Sequence, residues 1–162
     1  MSVTGVEKDL EALTMTVTAE YDVPAERAWQ LWADPRQLER WWGPPTYPAT
    51  VERHDLRPGG AVAYYMTSPE GEKYRGWWQV LECSPPRTLL VEDGFADADG
   101  NPNPDLPITM MRVSIADRDG GGVAVTILST FPSLEALEQL LSMGMEDGLR
   151  AAMGQIDGIL SE

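Results

Sequence analysis

The C-terminal part of the chain carries its apolar residues at helical spacing. Residues 133–160 place apolar side chains mostly at every third or fourth position, which is typical of an amphipathic helix that packs one face on other structure. The stripe consists of Leu134, Leu137, Leu141, Met145, Leu149, Ala152, Met153, Ile156 and Leu160. Ser133 is a good N-cap, whereas each of four internal glycines costs about 1 kcal/mol of helix propensity. We predict one long helix whose packing compensates for the glycines.

The chain before this helix is patterned as strands separated by proline- and glycine-rich turns. A first strand is predicted over 13–21, and two short helices over 24–34 and 34–42 follow it. Six more strands are predicted over 49–56, 61–67, 73–83, 88–95, 108–116 and 123–130. Short turns between successive strands favour antiparallel pairing. The prediction is therefore an α+β fold, in which a curved antiparallel sheet of about six to seven strands wraps around the long C-terminal helix.

Length and composition predict one domain spanning residues 1–162, with an ordered core over roughly 13–160. Residues 1–11 are acidic and weakly patterned, so we predict a frayed lead-in. Residues 96–107 are polar and rich in proline and glycine, which predicts an exposed loop. No repeat or linker divides the chain.

The charge narrows the range of partners. Twelve basic and twenty-six acidic side chains give a net charge of −14, which argues against nucleic acid or an anionic membrane surface as a partner. No signal-peptide pattern and no long apolar run occur, so we predict a soluble, cytoplasmic protein. The single cysteine, Cys83, rules out an internal disulfide and suits a reducing compartment.

Established catalytic and metal-binding motifs are absent from the sequence. There is no HExxH, CxxC, GxSxG, P-loop or GxGxxG pattern. One histidine and one cysteine make a zinc site improbable. Four aspartates around one loop, namely Asp93, Asp97, Asp99 and Asp105, lack the spacing of a calcium site, and we predict that they are solvated. The sequence therefore predicts no catalytic residue, no metal and no cofactor.

A sheet curved around a helix encloses an interior, and strand alternation indicates which residues face it. The candidate lining consists of Val62, Tyr64, Met66, Trp78, Met111, Val113, Leu141, Met145, Leu149 and Met153. Methionines make such a lining adaptable. Two interpretations stay open: these residues form an ordinary filled core, or they surround a pocket for an apolar or aromatic small molecule. Parity places one of Trp77 and Trp78 inside, and the sequence does not decide which.

Four polar residues in or beside the strands are candidates for the interior: His54, Arg75, Glu92 and Arg112. An inward-facing arginine would need Glu92 or a ligand carboxylate as a partner, because an unpaired buried charge is costly. The alternative, favoured for His54 and Arg112, is that these side chains face solvent.

Several strings along the chain together resemble one family. These are VPAERAWQLWADPRQLERWWGP, DLRPGG, YRGWWQVLECSPPRTLLVEDGF and the glycine-punctuated C-terminal helix. Over about residues 15–160 the chain is similar to the domain homologous to activators of heat-shock-chaperone ATPase. That domain belongs to the START-like (SRPBCC) helix-grip superfamily, which includes the birch-pollen allergen. The family usually has a tryptophan after the glycine that corresponds to Gly148, where this chain has Leu149.

The resemblance implies a helix-grip fold and leaves three functions open. The first is non-catalytic binding of a small hydrophobic or aromatic ligand in the interior. The second is an interaction with a chaperone, as expected of an ATPase activator. The third is a cyclase- or hydrolase-like activity, which would need polar interior groups such as Tyr64, His54, Arg75 or Glu92. A homodimer is compatible with such domains, although no edge strand or patch in the sequence identifies one.

Overall fold

A computed structural model describes residues 3–162 of the chain. Its strands form one antiparallel eight-stranded sheet in the order β1-β2-β8-β7-β6-β5-β4-β3. The strands are β1 (Val3–Asp9), β2 (Thr14–Tyr21), β3 (Ala49–His54), β4 (Ala61–Thr67), β5 (Lys73–Ser84), β6 (Thr88–Ala96), β7 (Thr109–Asp117) and β8 (Val123–Thr130). The helices are α1 (Ala25–Ala33), α2 (Pro35–Trp41), α3 (Leu134–Ser142), α4 (Met145–Met153) and α5 (Ile156–Leu160). The predicted α+β fold, with two short helices before most of a curved sheet, is confirmed.

The sheet has one more strand than predicted, because the acidic lead-in is strand β1. It pairs antiparallel with β2 at the edge of the sheet. Val3 and Val6 pack against the core, whereas residues 7–9 are exposed and charged. Lys8 also pairs with Glu146 of α4, with 2.6 Å between Nζ and Oε1. An edge strand with so few buried positions carries a weak alternation, which is why the prediction of a frayed lead-in is wrong.

The two short helices are held by a cap and by aromatic packing. Asp34 caps α2, since its carboxylate accepts a hydrogen bond from the backbone N–H of Arg36 at 2.9 Å. The rings of Trp32 and Trp41 meet edge to face with centroids 5.0 Å apart. The indole N–H of Trp41 donates to the backbone carbonyl of Leu31 at 2.9 Å. These contacts anchor both helices in the core.

The C-terminal helix lies against the concave face of the sheet, but it is divided into α3, α4 and α5, here called the C-terminal segment. The side chain of Ser133 caps α3 as predicted, accepting from the N–H of Ala136. Gly144 then adopts φ +88, a left-handed conformation that ends α3 and redirects the chain into α4. The prediction of one continuous helix is therefore wrong, whereas the predicted position of a helical segment on the sheet is confirmed.

The C-terminal segment is packed tightly at its two ends and loosely in its middle. Leu137 and Leu140 of α3 are buried, as are Met153 and Ile156 near the other end. The Gln155 side chain donates to the carbonyl of Gly43 at 2.7 Å and fixes that end to the loop after α2. Between these anchors the predicted stripe residues Leu141, Met145 and Leu149 are only half-buried. The looser packing at the break leaves space above the sheet.

Candidate functional site

The space under the break in the C-terminal segment is a cavity of about 290 Å³. Most of its surface is apolar, and helix α3, the break, helix α4 and the inner face of the sheet all contribute to it. It is lined by Trp42, Pro44, Tyr64, Met66, Asp93, Gly94, Phe95, Thr109, Met111, Ser129, Leu140, Met143, Gly144, Met145, Gly148 and Leu149. Met143 and Gly144 are themselves exposed, so this side of the cavity lies at the protein surface.

The structure brings half of the sequence-predicted lining to this cavity. Tyr64, Met66, Met111, Met145 and Leu149 line it. The other five candidates are not among the lining residues. Of these, Val62, Trp78, Val113 and Met153 are completely buried in the surrounding core, and Leu141 is half-buried.

The structure also decides the orientation of the paired tryptophans. Trp78 is completely buried and lies edge to face with Trp42 and Tyr64. Trp77 faces the other side of the sheet, where its indole N–H donates to the carbonyl of Phe95 at 3.0 Å. A methyl group at Gly94 would overlap the Trp77 ring, so that glycine is needed for the ring to lie flat on β6.

The two arginine candidates, whose orientation the sequence left open, lie outside the cavity. Arg75 pairs with Glu52 at 2.8 Å, and Arg112 with Glu82 at 3.4 Å. All four side chains are at least partly exposed. Both arginines therefore belong to ion pairs on the outer face of the sheet, where such pairs contribute little to stability.

His54 and Glu92 are also outside the cavity. The Nε2–H of His54 donates to the backbone carbonyl of Trp32 at 2.8 Å, so the ring joins β3 to the end of α1. Glu92 faces away from the interior, opposite Gln79 and the exposed Met110 on the neighbouring strands. The four polar candidates thus supply no group to the lining.

The acidic group that does reach the cavity is Asp93, which the sequence interpretation placed with the solvated loop. It follows the buried residues Leu89 and Val91 at strand spacing on β6 and therefore shares their inner face. Leu90 made the parity of this strand ambiguous in the sequence. The nearby aspartates, among them Asp97, drew Asp93 into the loop prediction. The signal that could have identified Asp93 is the alternation of β6, because Asp93 is the next residue after Leu89 and Val91 on the same face.

Burial changes the chemistry of Asp93. The residue keeps some exposure, but its carboxyl group is enclosed by protein, and this loss of water raises its pKa from 3.8 to about 7. The Tyr64 hydroxyl donates a hydrogen bond to the carboxylate and partly offsets that rise. Burial, followed by the charge of Asp93, raises the pKa of Tyr64 well above its usual value. The pair is therefore a neutral phenol beside a carboxyl group that titrates near neutrality.

The position of Tyr64 depends on a glycine in the next strand. Tyr64 of β4 lies opposite Gly76 of β5, and a methyl group at Gly76 would overlap the end of the Tyr64 ring. The absent side chain lets the ring lie across β5 toward Asp93 on the following strand. Gly76 therefore fixes the hydroxyl that contacts Asp93.

Trp42 completes the polar side of the cavity. Its ring meets Tyr64 edge to face, with centroids 6.1 Å apart. Its indole N–H is buried near the Tyr64 hydroxyl and makes no well-formed hydrogen bond among residues 3–162. This donor lies close enough to the Tyr64 oxygen to lower the pKa of that hydroxyl, which opposes the larger effect of burial. Trp42 was not among the residues that the sequence predicted to line the interior.

Outside the cavity, residues 3–162 offer neither a metal-binding cluster nor an activated thiol. Residues 3–162 contain no group of three histidine, cysteine or acidic side chains that could hold a metal ion. Burial raises the pKa of the Cys83 thiol, which disfavours its nucleophilic form. In the same part of the chain, no helix has the length and apolar character needed to cross a membrane.

Comparison with protein families gives one match that spans most of the chain. The model described as "Activator of Hsp90 ATPase homolog 1-like protein" matches residues 22–161. No curated protein matches the chain at a significant level.

Solved structures share both sequence and fold with this chain. Protein Ms6760 from Mycobacterium smegmatis is 51% identical, with a TM-score of 0.90 over 98% of this chain and 96% of that one. A protein from Arthrobacter aurescens is 48% identical, with a TM-score of 0.94 over 99% of this chain and 92% of that one. An AHSA1 protein from Silicibacter pomeroyi is 20% identical, with a TM-score of 0.73 over 91% and 97%, and it supports the fold alone.

The Gly76–Tyr64 contact predicts the effect of one methyl group. We expect Gly76→Ala to displace the Tyr64 ring and to lower the free energy of unfolding by about 1–3 kcal/mol, the usual cost of overpacking. Urea denaturation measures this change. The control is Gly5→Ala in β1, where an added methyl group meets nothing within 4 Å. Equal stability of both variants would show that Tyr64 does not rest on Gly76.

Proposed function

This chain belongs to the family of activator of Hsp90 ATPase homolog 1-like proteins, and we propose that it binds a small, mainly apolar ligand in the cavity under its C-terminal segment. The observation that carries the proposal is the apolar space of about 290 Å³ in an otherwise packed core. Protein interiors are normally filled to crystal-like density. A space of this size beside a buried carboxyl group is therefore better explained by a guest than by inefficient packing.

The size of the cavity sets the size of the guest. An apolar cavity of roughly 150 Å³ holds a benzene molecule, and ligand pockets begin at about 300 Å³. The space therefore suits a molecule with one or two rings, or one ring and a short chain. Met66, Met111 and Met145 give the lining flexible side chains that adapt to such a molecule.

The break at Gly144 supports access to this space. Met143 is 54% exposed although it lines the cavity. Gly148 has nothing within 4 Å of the position that a Cβ would occupy. Leu149 stands where the family usually has tryptophan, and its smaller side chain leaves room. We propose that a ligand enters between α3 and α4.

The enzymatic alternative rests on fewer groups than the sequence suggested. Of its named candidates, only Tyr64 lines the cavity, while His54, Arg75 and Glu92 lie elsewhere. Asp93 could serve as a general base because its pKa lies near neutrality. We favour binding, because Asp93 and Tyr64 can bind the polar group of a ligand without any reaction taking place.

Filling the cavity tests the binding proposal. We expect the wild-type protein to bind the neutral probe phenylbutanol, measured by isothermal titration calorimetry. Leu149→Trp should weaken that binding by at least about tenfold, a loss of about 1.4 kcal/mol, because the larger side chain occupies the space. Leu134→Trp is the matched control, since Leu134 is exposed on α3. No binding to the wild type, or equal binding to both variants, would contradict the proposal.

A second candidate function, activation of a chaperone ATPase, is favoured by the family match over residues 22–161. The net charge of −14 would complement a basic surface on such a partner. We expect the protein at saturating concentration to raise the ATP hydrolysis rate of the Hsp90-class chaperone of its own cell. Leu149→Trp should retain this effect, because the change lies inside the cavity. An unchanged hydrolysis rate would remove the candidate.

Both proposed functions are compatible with the cytoplasm, which we retain as the proposed location. Homodimerisation remains a prediction of the resemblance, and neither proposed function requires it.

A further inference from the structure

We propose that the cavity selects a ligand with one positively charged amine on an apolar or aromatic body, and that Asp93 is the residue that recognises the amine. This inference rests on the proposed ligand-binding function and specifies the chemical class of the ligand. Three features of the described structure support it: the isolated carboxyl group, the aromatic residues around it and the charge of the whole chain.

The first feature is the isolation of the carboxyl group. Asp93 and Tyr64 are the two titratable residues among those that line the cavity. The groups that act on Asp93 are the enclosing protein and the Tyr64 hydroxyl, and no arginine, lysine or histidine of residues 3–162 is among them. A buried carboxylate without a cation is costly. An ammonium group on the ligand would supply the missing charge in a strong, charge-assisted hydrogen bond.

The second feature is the aromatic surface next to Asp93. Trp42, Tyr64 and Phe95 all line the same cavity. Aromatic rings attract cations through the negative charge on their faces, an interaction that is strongest when water is excluded. The same rings pack favourably on an apolar or aromatic body. The site therefore matches both parts of an amphipathic amine.

The third feature is the net charge of −14, which discriminates between ligand classes before they enter. A strongly acidic protein concentrates cations near its surface and repels anions. Inside the cavity a ligand carboxylate would also stand beside Asp93, and two neighbouring carboxylates disfavour each other's ionised form. A fatty acid or aryl carboxylate of the same size should therefore bind less well than the amine.

The inference sets the direction of a pH effect. The titratable group facing Asp93 is Tyr64 from β4, and the lining residues of α3, α4 and β7 carry no ionisable side chain. In the free protein the pKa of Asp93 is about 7, so raising the pH ionises the group that attracts the amine. Affinity for an amine should rise about tenfold between about pH 6 and about pH 8, since it scales with the ionised fraction. Affinity for a neutral probe should change much less, because its hydroxyl forms no ion pair when Asp93 ionises.

The test uses three probes with closely similar carbon skeletons: phenylbutylamine, phenylbutanol and phenylbutyric acid. Calorimetric titration of the full chain at about pH 8 should give the tightest binding for the amine and the weakest for the acid. Asp93→Asn should weaken amine binding at least about tenfold and alcohol binding much less, because only the amine loses an ion pair. The matched control is Glu92→Gln, which removes the same charge from the adjacent residue on the outer face and should preserve the order.

The outcomes separate this inference from the proposed function. If none of the probes binds the wild type, the ligand-binding function itself fails. If the alcohol binds but the amine is no tighter, or if Asp93→Asn and Glu92→Gln behave alike, the amine inference fails and ligand binding stands. Should Asp93→Asn not fold, the pH series on the wild type decides: a rise for the amine alone supports the inference, and equal pH dependence for amine and alcohol overturns it.

Discussion

The contact between the concave face of the sheet and the C-terminal segment is the interaction on which the rest of the structure depends. It buries apolar side chains of both elements, and this burial is the main favourable term in folding. The segment is interrupted between α3 and α4 at Gly144, whose backbone is left-handed. Tight packing at both ends and a break in the middle leave a cavity at a defined place.

The same geometry gives the cavity its polar side. Strand β6 brings Asp93 to the inner face, and β4 brings Tyr64 beside it because Gly76 on the intervening strand leaves room for the ring. In water, the side chains of Asp93 and Tyr64 would each have an ordinary pKa. Enclosure by the segment and the sheet is what raises the pKa of Asp93 toward neutrality. The break in the C-terminal segment therefore accounts both for the cavity and for the enclosed carboxyl group that gives the cavity its chemistry.

Sequence reasoning recovered the fold better than the site. Alternation and turn residues identified seven of the eight strands, but β1 buries too few residues to show a pattern. The helical stripe located the C-terminal segment, but four glycines lie within it and the stripe does not indicate that Gly144 alone adopts a left-handed backbone. The sequence left the orientation of Arg75 open and favoured solvent for Arg112; both side chains form ion pairs outside the cavity. Asp93 was missed because apolar neighbours of both parities obscured the inner face of β6.

The measurement that tests this account most directly is an NMR titration of the Asp93 side-chain carboxyl carbon in the ligand-free protein. If the segment and the sheet enclose that group, its midpoint lies near pH 7. A midpoint near that of an ordinary aspartate, about 3.9, would show that water reaches the carboxylate freely. The space under the C-terminal segment would then be an open surface rather than a cavity.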